Sequence, residues 1–240
     1  MKKALLISLA ALACLVPLAQ AEWRFGLESL EPPSRVQAIH LASRWGWHDQ
    51  AVATATGERV FNDYALLYPR PYDAEVAAAA RTAGLPHDLI YSVMRQESLY
   101  RSDAVSSADA RGLMQLLPET ARRTAIQWKQ PVPASAQLFE PAVNVMLGAA
   151  HVKELLERFD DQLPLALAGY NAGPGAAQRW LPSRTMDPDI WIENIPYNET
   201  RNYVQRILWH TLVFGWLREG QPQDPRDWLH AIKPASGTQR

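Results

Sequence analysis

The stretch that decides the fold is His87-Asp-Leu-Ile-Tyr-Ser-Val-Met-Arg-Gln-Glu-Ser98. Its apolar residues recur at the spacing of one face of a helix. These residues are Leu89, Ile90, Val93 and Met94, with Ser92, Arg95 and Gln96 on the opposite face. One more turn along the apolar face reaches position 97. The pattern therefore predicts an amphipathic helix that ends in a carboxyl group, Glu97, at the edge of a buried stripe.

The sequence around this helix predicts one helix after another. An alanine-rich helix over 74–83, capped by Asp73, stops at Gly84, and Pro86 opens the helix that runs to about Ser98. Further helices are predicted from Pro118, over 141–159, over 164–172 and from Asn198 to the end of the domain. No segment alternates as a long strand. The fold class is therefore mainly α, with at most a small β hairpin or sheet in 101–115.

The region upstream differs from this domain. Residues 34–57 predict two short helices separated at Gly46, and the closely spaced prolines of Pro69-Arg70-Pro71 mark a boundary near residue 70. We therefore expect a short helical N-terminal segment over 22–70, a catalytic domain over 71–220 and a C-terminal tail over 221–240.

The first 21 residues are typical of a secretory signal peptide. Lys2 and Lys3 precede an apolar run over 4–18, and Ala19-Gln20-Ala21 offers small residues at the cleavage site. The chain is therefore expected to be exported to the periplasm. Two alternatives remain: a membrane anchor, disfavoured by Pro17 and the shortness of the run, and a lipid anchor on Cys14.

Composition excludes several classes of function. The 240 residues have a formal net charge of −1, without the basic excess of a nucleic-acid-binding protein. Cys14 is the single cysteine, which leaves the exported chain without disulfides or thiolate ligands. The six histidines show no metal-binding spacing such as HExxH. We expect no metal, no cofactor and no nucleic-acid partner.

The predicted surroundings of Glu97 suit acid–base chemistry. A carboxyl among apolar side chains is desolvated, and desolvation raises its pKa because it disfavours the charged form. A protonated carboxyl near neutral pH is what a general acid for a glycosidic oxygen requires. The alternative is a structural Glu97 that caps the helix or forms an ion pair with Arg95 or Arg101.

Three later segments accompany the Glu97-Ser98 pair: Gly112-Leu-Met-Gln-Leu116, Ala168-Gly-Tyr-Asn-Ala-Gly-Pro-Gly175 and Glu193-Asn-Ile-Pro196-Tyr-Asn-Glu-Thr200-Arg201-Asn-Tyr203-Val204. In this order they closely resemble the catalytic domain of the soluble lytic transglycosylases, enzymes of bacterial cell-wall turnover. The resemblance covers roughly 72–217, and it implies a lysozyme-like catalytic domain similar to that of goose-type lysozyme. The best-known members carry a long helical superstructure before this domain, whereas only about fifty residues precede it here.

The resemblance also implies roles for single residues. Glu97 matches the catalytic acid/base, and the residues implied to bind or face the saccharide are Ser106, Met114, Gln115, Tyr170, Asn171, Glu193 and Tyr203. The hydroxyl of Tyr170 is expected to hydrogen-bond the Glu97 carboxyl, and the amides of Gln115 and Asn171 suit sugar hydroxyl and acetamido groups. Trp180 and Trp191 are either core residues or sugar-stacking residues.

The expected substrate is the glycan strand of peptidoglycan. Ordinary glycosidases use two carboxylates, and the loop residues Asp103 and Asp109 are weak candidates for a second one, since loop aspartates usually serve turns. The resemblance therefore implies a lyase with Glu97 alone, forming a 1,6-anhydro-muramoyl product. The alternatives are a hydrolytic muramidase and a catalytically silent peptidoglycan-binding scaffold.

Overall fold

The structure of the protein, a computed structural model, describes residues 19, 21–23 and 25–234. It divides into two compact units, Met1–Pro69 and Arg70–Arg240. Most of the predicted signal peptide, with Cys14, lies outside the described residues, as do residues 235–240 of the C-terminal tail. Among the described helices, none combines the length and the apolar character that crossing a membrane requires.

The first unit contains the two short helices that the sequence predicts over 34–57. They are α1 (Pro32–Arg44) and α2 (His48–Gly57), and a single turn, α3 (Tyr64–Leu67), follows. Gly46 separates α1 from α2 with a φ of 76°, a left-handed conformation that glycine adopts at little cost. The fully buried side chains Ile39, Ala42 and Ala55 form the centre of this unit.

The second unit is built from eight further helices within the described residues. In chain order they are α4 (Asp73–Ala83), α5 (His87–Ser98), α6 (Pro118–Gln127), α7 (Pro141–Arg158), α8 (Leu163–Ala172), α9 (Pro174–Arg179), α10 (Pro188–Glu193) and α11 (Asn198–Glu219). Proline occupies the first turn of α6, α7, α8, α9 and α10, where its missing N–H is not needed. The predicted bounds differ by one residue in α4, α7 and α8.

Helix α5 lies at the centre of this unit and is more enclosed than its sequence predicts. Every residue from Asp88 to Met94 is buried, including Ser92 on the expected polar face. Ser92 accepts a hydrogen bond from Thr211 of α11 at 3.1 Å, and Asp88 binds the guanidinium of Arg218 at 2.8 Å. Polar pairs therefore connect α5 to the long helix α11, which packs along it.

The loop between α5 and α6 has the small β feature that the sequence predicts. It contains isolated antiparallel bridges between Val105 and Arg111 and between Arg111 and Leu116, and the described residues form no longer strand. The predicted tail is partly structured, because Ile232 is fully buried and forms a bridge with Met186. The described part of the chain is therefore mainly α.

Candidate active site

Glu97 lies in the last turn of α5, where the chain leaves the helix. The helix ends at Ser98, and Leu99 after it adopts a left-handed conformation with a φ of 49°. Ser98 secures this end because its hydroxyl donates to the carbonyl of Leu113 at 2.8 Å. The turn fixes Glu97 at the rim of the core, beside the loop that follows.

The surroundings of Glu97 hold its pKa near neutrality. Burial raises the pKa to about 7, because the charged carboxylate would lose its hydration. A hydrogen bond from the Tyr203 hydroxyl opposes this shift, and the negative charge of Glu199 reinforces it. The carboxyl is thus poised to release and to recover a proton near pH 7, as the sequence predicts.

Tyr203 takes the place that the sequence assigned to Tyr170. The Tyr203 hydroxyl donates to Oε1 of Glu97 at 2.6 Å, whereas the Tyr170 hydroxyl donates to the backbone carbonyl of Met114 at 2.7 Å. The expected hydrogen bond between Tyr170 and Glu97 is therefore wrong. Burial raises the pKa of both phenols well above the usual value, so both stay protonated donors.

Two cavities meet at Glu97. The first has a volume of about 240 Å³, and its walls are Gln96, Glu97, Asn171, Glu199, Asn202, Tyr203 and Arg206. The second has a volume of about 360 Å³, and its polar walls are Glu97, Ser106, Ser107, Gln115, Thr120, His151, Tyr170, Asn171 and Glu199. Because the two cavities share Glu97, Asn171 and Glu199, one extended ligand can occupy both and pass the carboxyl of Glu97.

The segment Gly112–Leu116 forms one wall of the second cavity and is anchored to α7. The fully buried Asn144 accepts from the Met114 amide at 2.7 Å and donates to the carbonyls of Arg111 and Leu138 at 2.8 and 2.7 Å. Gly112 has a φ of 74°, and a Cβ there would collide with Leu138 and Asn144. These contacts direct Gln115, but not Met114, towards the cavity.

Five of the predicted binding residues line the cavities with Glu97: Ser106, Gln115, Tyr170, Asn171 and Tyr203. The Ser106 hydroxyl accepts hydrogen bonds from the backbone amides of Ala108 and Ala110 at 3.2 and 3.0 Å, and these bonds hold the loop in shape. Asn171 accepts from the hydroxyl of Thr200 at 2.6 Å, which orients its amide. Five of the seven predicted binding residues thus share these cavities with Glu97.

Met114 and Glu193 are not on these walls. The Met114 side chain is completely buried and packs where Gly148 of α7 leaves room for it. Glu193 is exposed at the end of α10, where its carboxylate accepts from Gln205 at 2.7 Å, and it borders a separate surface depression. We therefore assign Met114 to the support of the site and Glu193 to the neighbouring surface.

Three titratable residues of the walls were not found from the sequence: His151, Glu199 and Arg206. Glu199 lies four residues before Tyr203 on α11, so one helix face carries both. That spacing is a signal in the sequence, but it points to the site only once α11 is known to lie beside α5. Glu199 brings a second carboxyl group to both cavities, whereas Asp103 and Asp109 do not line them.

The remaining candidates lie elsewhere. Asp103 and Asp109 form exposed ion pairs with Arg101 and Arg111, outside both cavities. Trp191 is a core residue, since it is 3% exposed and its indole N–H donates to the carbonyl of Trp180. No group of three or more side chains suited to holding a metal occurs within the described residues.

Comparisons with known proteins identify the relatives of this chain. The transglycosylase SLT domain model matches residues 75–192, and the soluble lytic murein transglycosylase L domain model matches residues 15–63. The soluble lytic murein transglycosylase of Salmonella typhimurium is 28% identical over 79% of this chain and 30% of its own length. The first match contains Glu97 and most of the cavity walls.

Solved structures show the same relationship. An inactive variant of the lytic transglycosylase Slt from Pseudomonas aeruginosa has a TM-score of 0.85 and 33% identity, over 92% of this chain and 36% of its own. The 70-kDa soluble lytic transglycosylase of Escherichia coli has a TM-score of 0.80 and 25% identity, over 85% and 34%. The chain thus spans about a third of the length of these relatives. It belongs to the soluble lytic murein transglycosylase family.

Proposed function

We propose that the chain is a periplasmic lytic transglycosylase that cleaves the β-1,4 bond between N-acetylmuramic acid and N-acetylglucosamine in peptidoglycan. The observation that carries the proposal is the carboxyl of Glu97, with a pKa of about 7, at the junction of two polar cavities. The location rests on the predicted signal peptide. The substrate rests on family membership and on walls rich in amide and hydroxyl groups.

In the first step, Glu97 gives its proton to the glycosidic oxygen as the bond from C1 of the muramic acid to that oxygen breaks. The N-acetylglucosamine leaves with a hydroxyl group. The acetamido oxygen of the muramic acid stabilises the cationic C1, while Glu97 is now a carboxylate. The donor from Tyr203 at 2.6 Å stabilises this charged form, so that the site serves both protonation states of Glu97.

In the second step, Glu97 takes the proton from the C6 hydroxyl of the same muramic acid, and O6 bonds to C1. The product is a 1,6-anhydro sugar, no water is consumed, and Glu97 is again protonated. The C6 hydroxyl is held close to C1 because both belong to the same sugar, and this proximity accelerates the attack. A second catalytic carboxylate is therefore not needed. Glu97 therefore acts as both general acid and general base.

Glu199 is the observation that favours the alternative of hydrolysis, since it brings a second carboxylate to both cavities. A carboxylate at that position can hold and activate a water molecule, as in inverting glycosidases. The products separate the two reactions. Anhydro ends lack one water by mass and resist borohydride, whereas hydrolysis leaves reducible ends.

The test is digestion of purified sacculi by the wild-type protein and by Glu97→Gln, with mass spectrometry of the released muropeptides. We expect anhydro muropeptides from the wild type and a loss of at least about 1,000-fold in the variant, since general acid and general base are removed together. Reducible products would establish a muramidase. If the wild-type protein left the sacculi undigested, the result would support the alternative of a catalytically silent peptidoglycan-binding scaffold.

The same variant provides a control for folding. Glu97 has a pKa of about 7 in the folded protein against an ordinary 4.5, so its ionisation costs folding free energy as pH rises between these values. Glu97→Gln removes this cost, and it should be at least as stable as the wild type at pH 8. An inactive but less stable variant would not support the catalytic assignment.

A further inference from the structure

His210 is a buried titratable residue that the proposed chemistry does not use. It lies on α11 and is 8% exposed, and Nη1 of Arg95 from α5 approaches its Nε2 at 3.2 Å. Because a guanidinium only donates hydrogen bonds, Nε2 must accept, and the ring proton is then on Nδ1. Burial and the charges of Arg95 and Arg206 lower the pKa of His210 to about 3. The ring is therefore a neutral acceptor throughout the neutral pH range.

This contact belongs to a series of polar contacts between α5 and α11. From the start of α5 to its end, the pairs are Asp88 with Arg218 at 2.8 Å, Ser92 with Thr211 at 3.1 Å, Arg95 with His210 at 3.2 Å and Glu97 with Tyr203 at 2.6 Å. The partners on α11 follow each other in descending order, so the two helices run antiparallel. In this series, the pair of Arg95 and His210 comes directly before the pair that contains the catalytic carboxyl.

The positions of these residues on the two helices connect His210 to the catalytic hydrogen bond. His210 lies seven residues after Tyr203, about two turns, so both side chains leave the same face of α11. Arg95 lies two residues before Glu97, in the last turn of α5. A shift of α11 along α5 would lengthen the 2.6 Å bond from Tyr203, and hydrogen bonds weaken with distance and misalignment. The contact of Arg95 with His210 opposes such a shift.

We propose that His210 is a positioning residue: by accepting from Arg95 it holds α11 at the end of α5, so that the Tyr203 hydroxyl reaches the carboxyl of Glu97. This inference rests on the proposed function of Glu97. A neutral acceptor suits the position. A carboxylate there would add negative charge to the helix face that carries Glu199 and would raise the pKa of Glu97 further, whereas an imidazolium would repel Arg95.

The test measures the pKa of Glu97 in the full chain, from the carboxyl carbon chemical shifts of protein labelled with ¹³C-glutamate. His210→Phe keeps an uncharged ring and removes the acceptor. We expect the pKa of Glu97 to rise by about 0.5, because its ionised form loses part of the hydrogen bond from Tyr203. The other ionisable groups that interact with Glu97, Glu199 of α11 and Tyr170 of α8, are the same in both proteins.

Two further substitutions serve as controls. His210→Gln offers an amide oxygen that can accept from Arg95, and it should keep the pKa of Glu97 close to the wild-type value. His87→Phe replaces an exposed histidine at the opposite end of α5 and should leave that pKa unchanged. If His210→Phe does not fold, His210→Leu removes the same acceptor with a smaller side chain and provides the same test.

A double variant determines whether the effect of His210 depends on Tyr203. In the Tyr203→Phe background there is no hydroxyl to displace, so His210→Phe should cause no further rise in the pKa of Glu97. An unchanged pKa in His210→Phe, even with a lower Tm, would overturn the positioning role, and so would an equal rise in both backgrounds. Because the titration needs no turnover, failure of the proposed function would instead appear as reducible products or an inactive wild type.

Discussion

The pKa of Glu97 is set by its burial and by two neighbours that act in opposite directions. Burial and Glu199 raise it, and the hydroxyl of Tyr203 lowers it. The resulting pKa of about 7 means that near neutral pH the carboxyl can donate and accept a proton with similar ease. The chemistry of the site is therefore adjustable at Tyr203, which contacts Glu97 directly.

Replacement of Tyr203 by Phe should move the pH dependence of activity upward. The reaction begins with protonated Glu97, so kcat/KM of the wild type is expected to fall as pH rises through about 7. Without the hydroxyl, the ionised form loses a stabilising hydrogen bond and the pKa rises further. The falling limb should then shift to higher pH by about one pH unit, measured as the release of muropeptides between pH 5 and 9.

Tyr170→Phe is the matched control for this measurement. It removes a phenolic hydroxyl from the same site, but that hydroxyl donates to the Met114 carbonyl instead of Glu97. The control should therefore keep the falling limb at its wild-type position, whatever its effect on the rate. A limb that stays in place in Tyr203→Phe would contradict the assigned role of Tyr203.

Glu97 could be predicted as a candidate from the sequence because the helical periodicity and the Glu97-Ser98 pair are both local features. It could not tell Met114 from Gln115, since neighbours in one motif can face opposite ways, and here the left-handed φ of 45° at Gln115 turns the chain. It missed Glu199 because that assignment needs the packing of α11 on α5, which no local pattern contains.

At the scale of elements, prolines and glycines made the helix bounds predictable. Pro118 and Pro141 begin α6 and α7, and Gly84 follows the end of α4 with a φ of 65°. Asp73 was wrongly expected to cap α4: Tyr72 precedes the helix in a left-handed conformation, and Asp73 instead accepts from the Tyr91 hydroxyl at 3.2 Å. That contact spans two helices, and so it lay beyond local rules.

Helix α7 supports the catalytic wall through a glycine, and this leads to a prediction about stability. At Gly148 a Cβ would lie 2.8 Å from Cβ and 3.0 Å from Cε of Met114 and would collide with its sulfur. Gly148→Ala should therefore lower the free energy of unfolding by about 1–3 kcal/mol, as overpacking of a core does. Displacement of the wall should also reduce activity, which urea unfolding and muropeptide release together would measure.

Gly175→Ala in α9 is the control for that substitution. It adds the same methyl group to a helical glycine, but the nearest atom, Nη1 of Arg179, lies 3.7 Å away at the end of a flexible side chain. The gain in helix propensity, up to about 1 kcal/mol, should make this variant equal to or more stable than the wild type. If Gly148→Ala proved equally stable, Met114 would have room to move, and the proposed support would be incorrect.

At the scale of the whole molecule, the site belongs to a single unit. Every residue of the two cavity walls lies within Arg70–Arg240, and so do the residues that orient them: Met114, Asn144 and Thr200. The boundary expected near residue 70 has the same position as the division of the structure. Residues 15–63 match the L domain model, a relationship that their short helices did not reveal in the sequence.

The chain of residues 70–240, made without the first unit, should therefore fold and retain muropeptide release. Its core contains α5 and α11 with all their described partners around Glu97, and Ile232 closes it from the C-terminal side. We expect a cooperative thermal transition and a kcat within about threefold of the full chain, since the geometry around Glu97 governs the chemical step.

A fragment of residues 70–220 is the comparison. It loses the fully buried Ile232, whose burial is worth about 2 kcal/mol, and it should unfold at a lower temperature. If residues 70–240 folded but were inactive while the full chain cleaves peptidoglycan, the first unit would contribute to catalysis, and if they were unfolded, the second unit would not be independently stable.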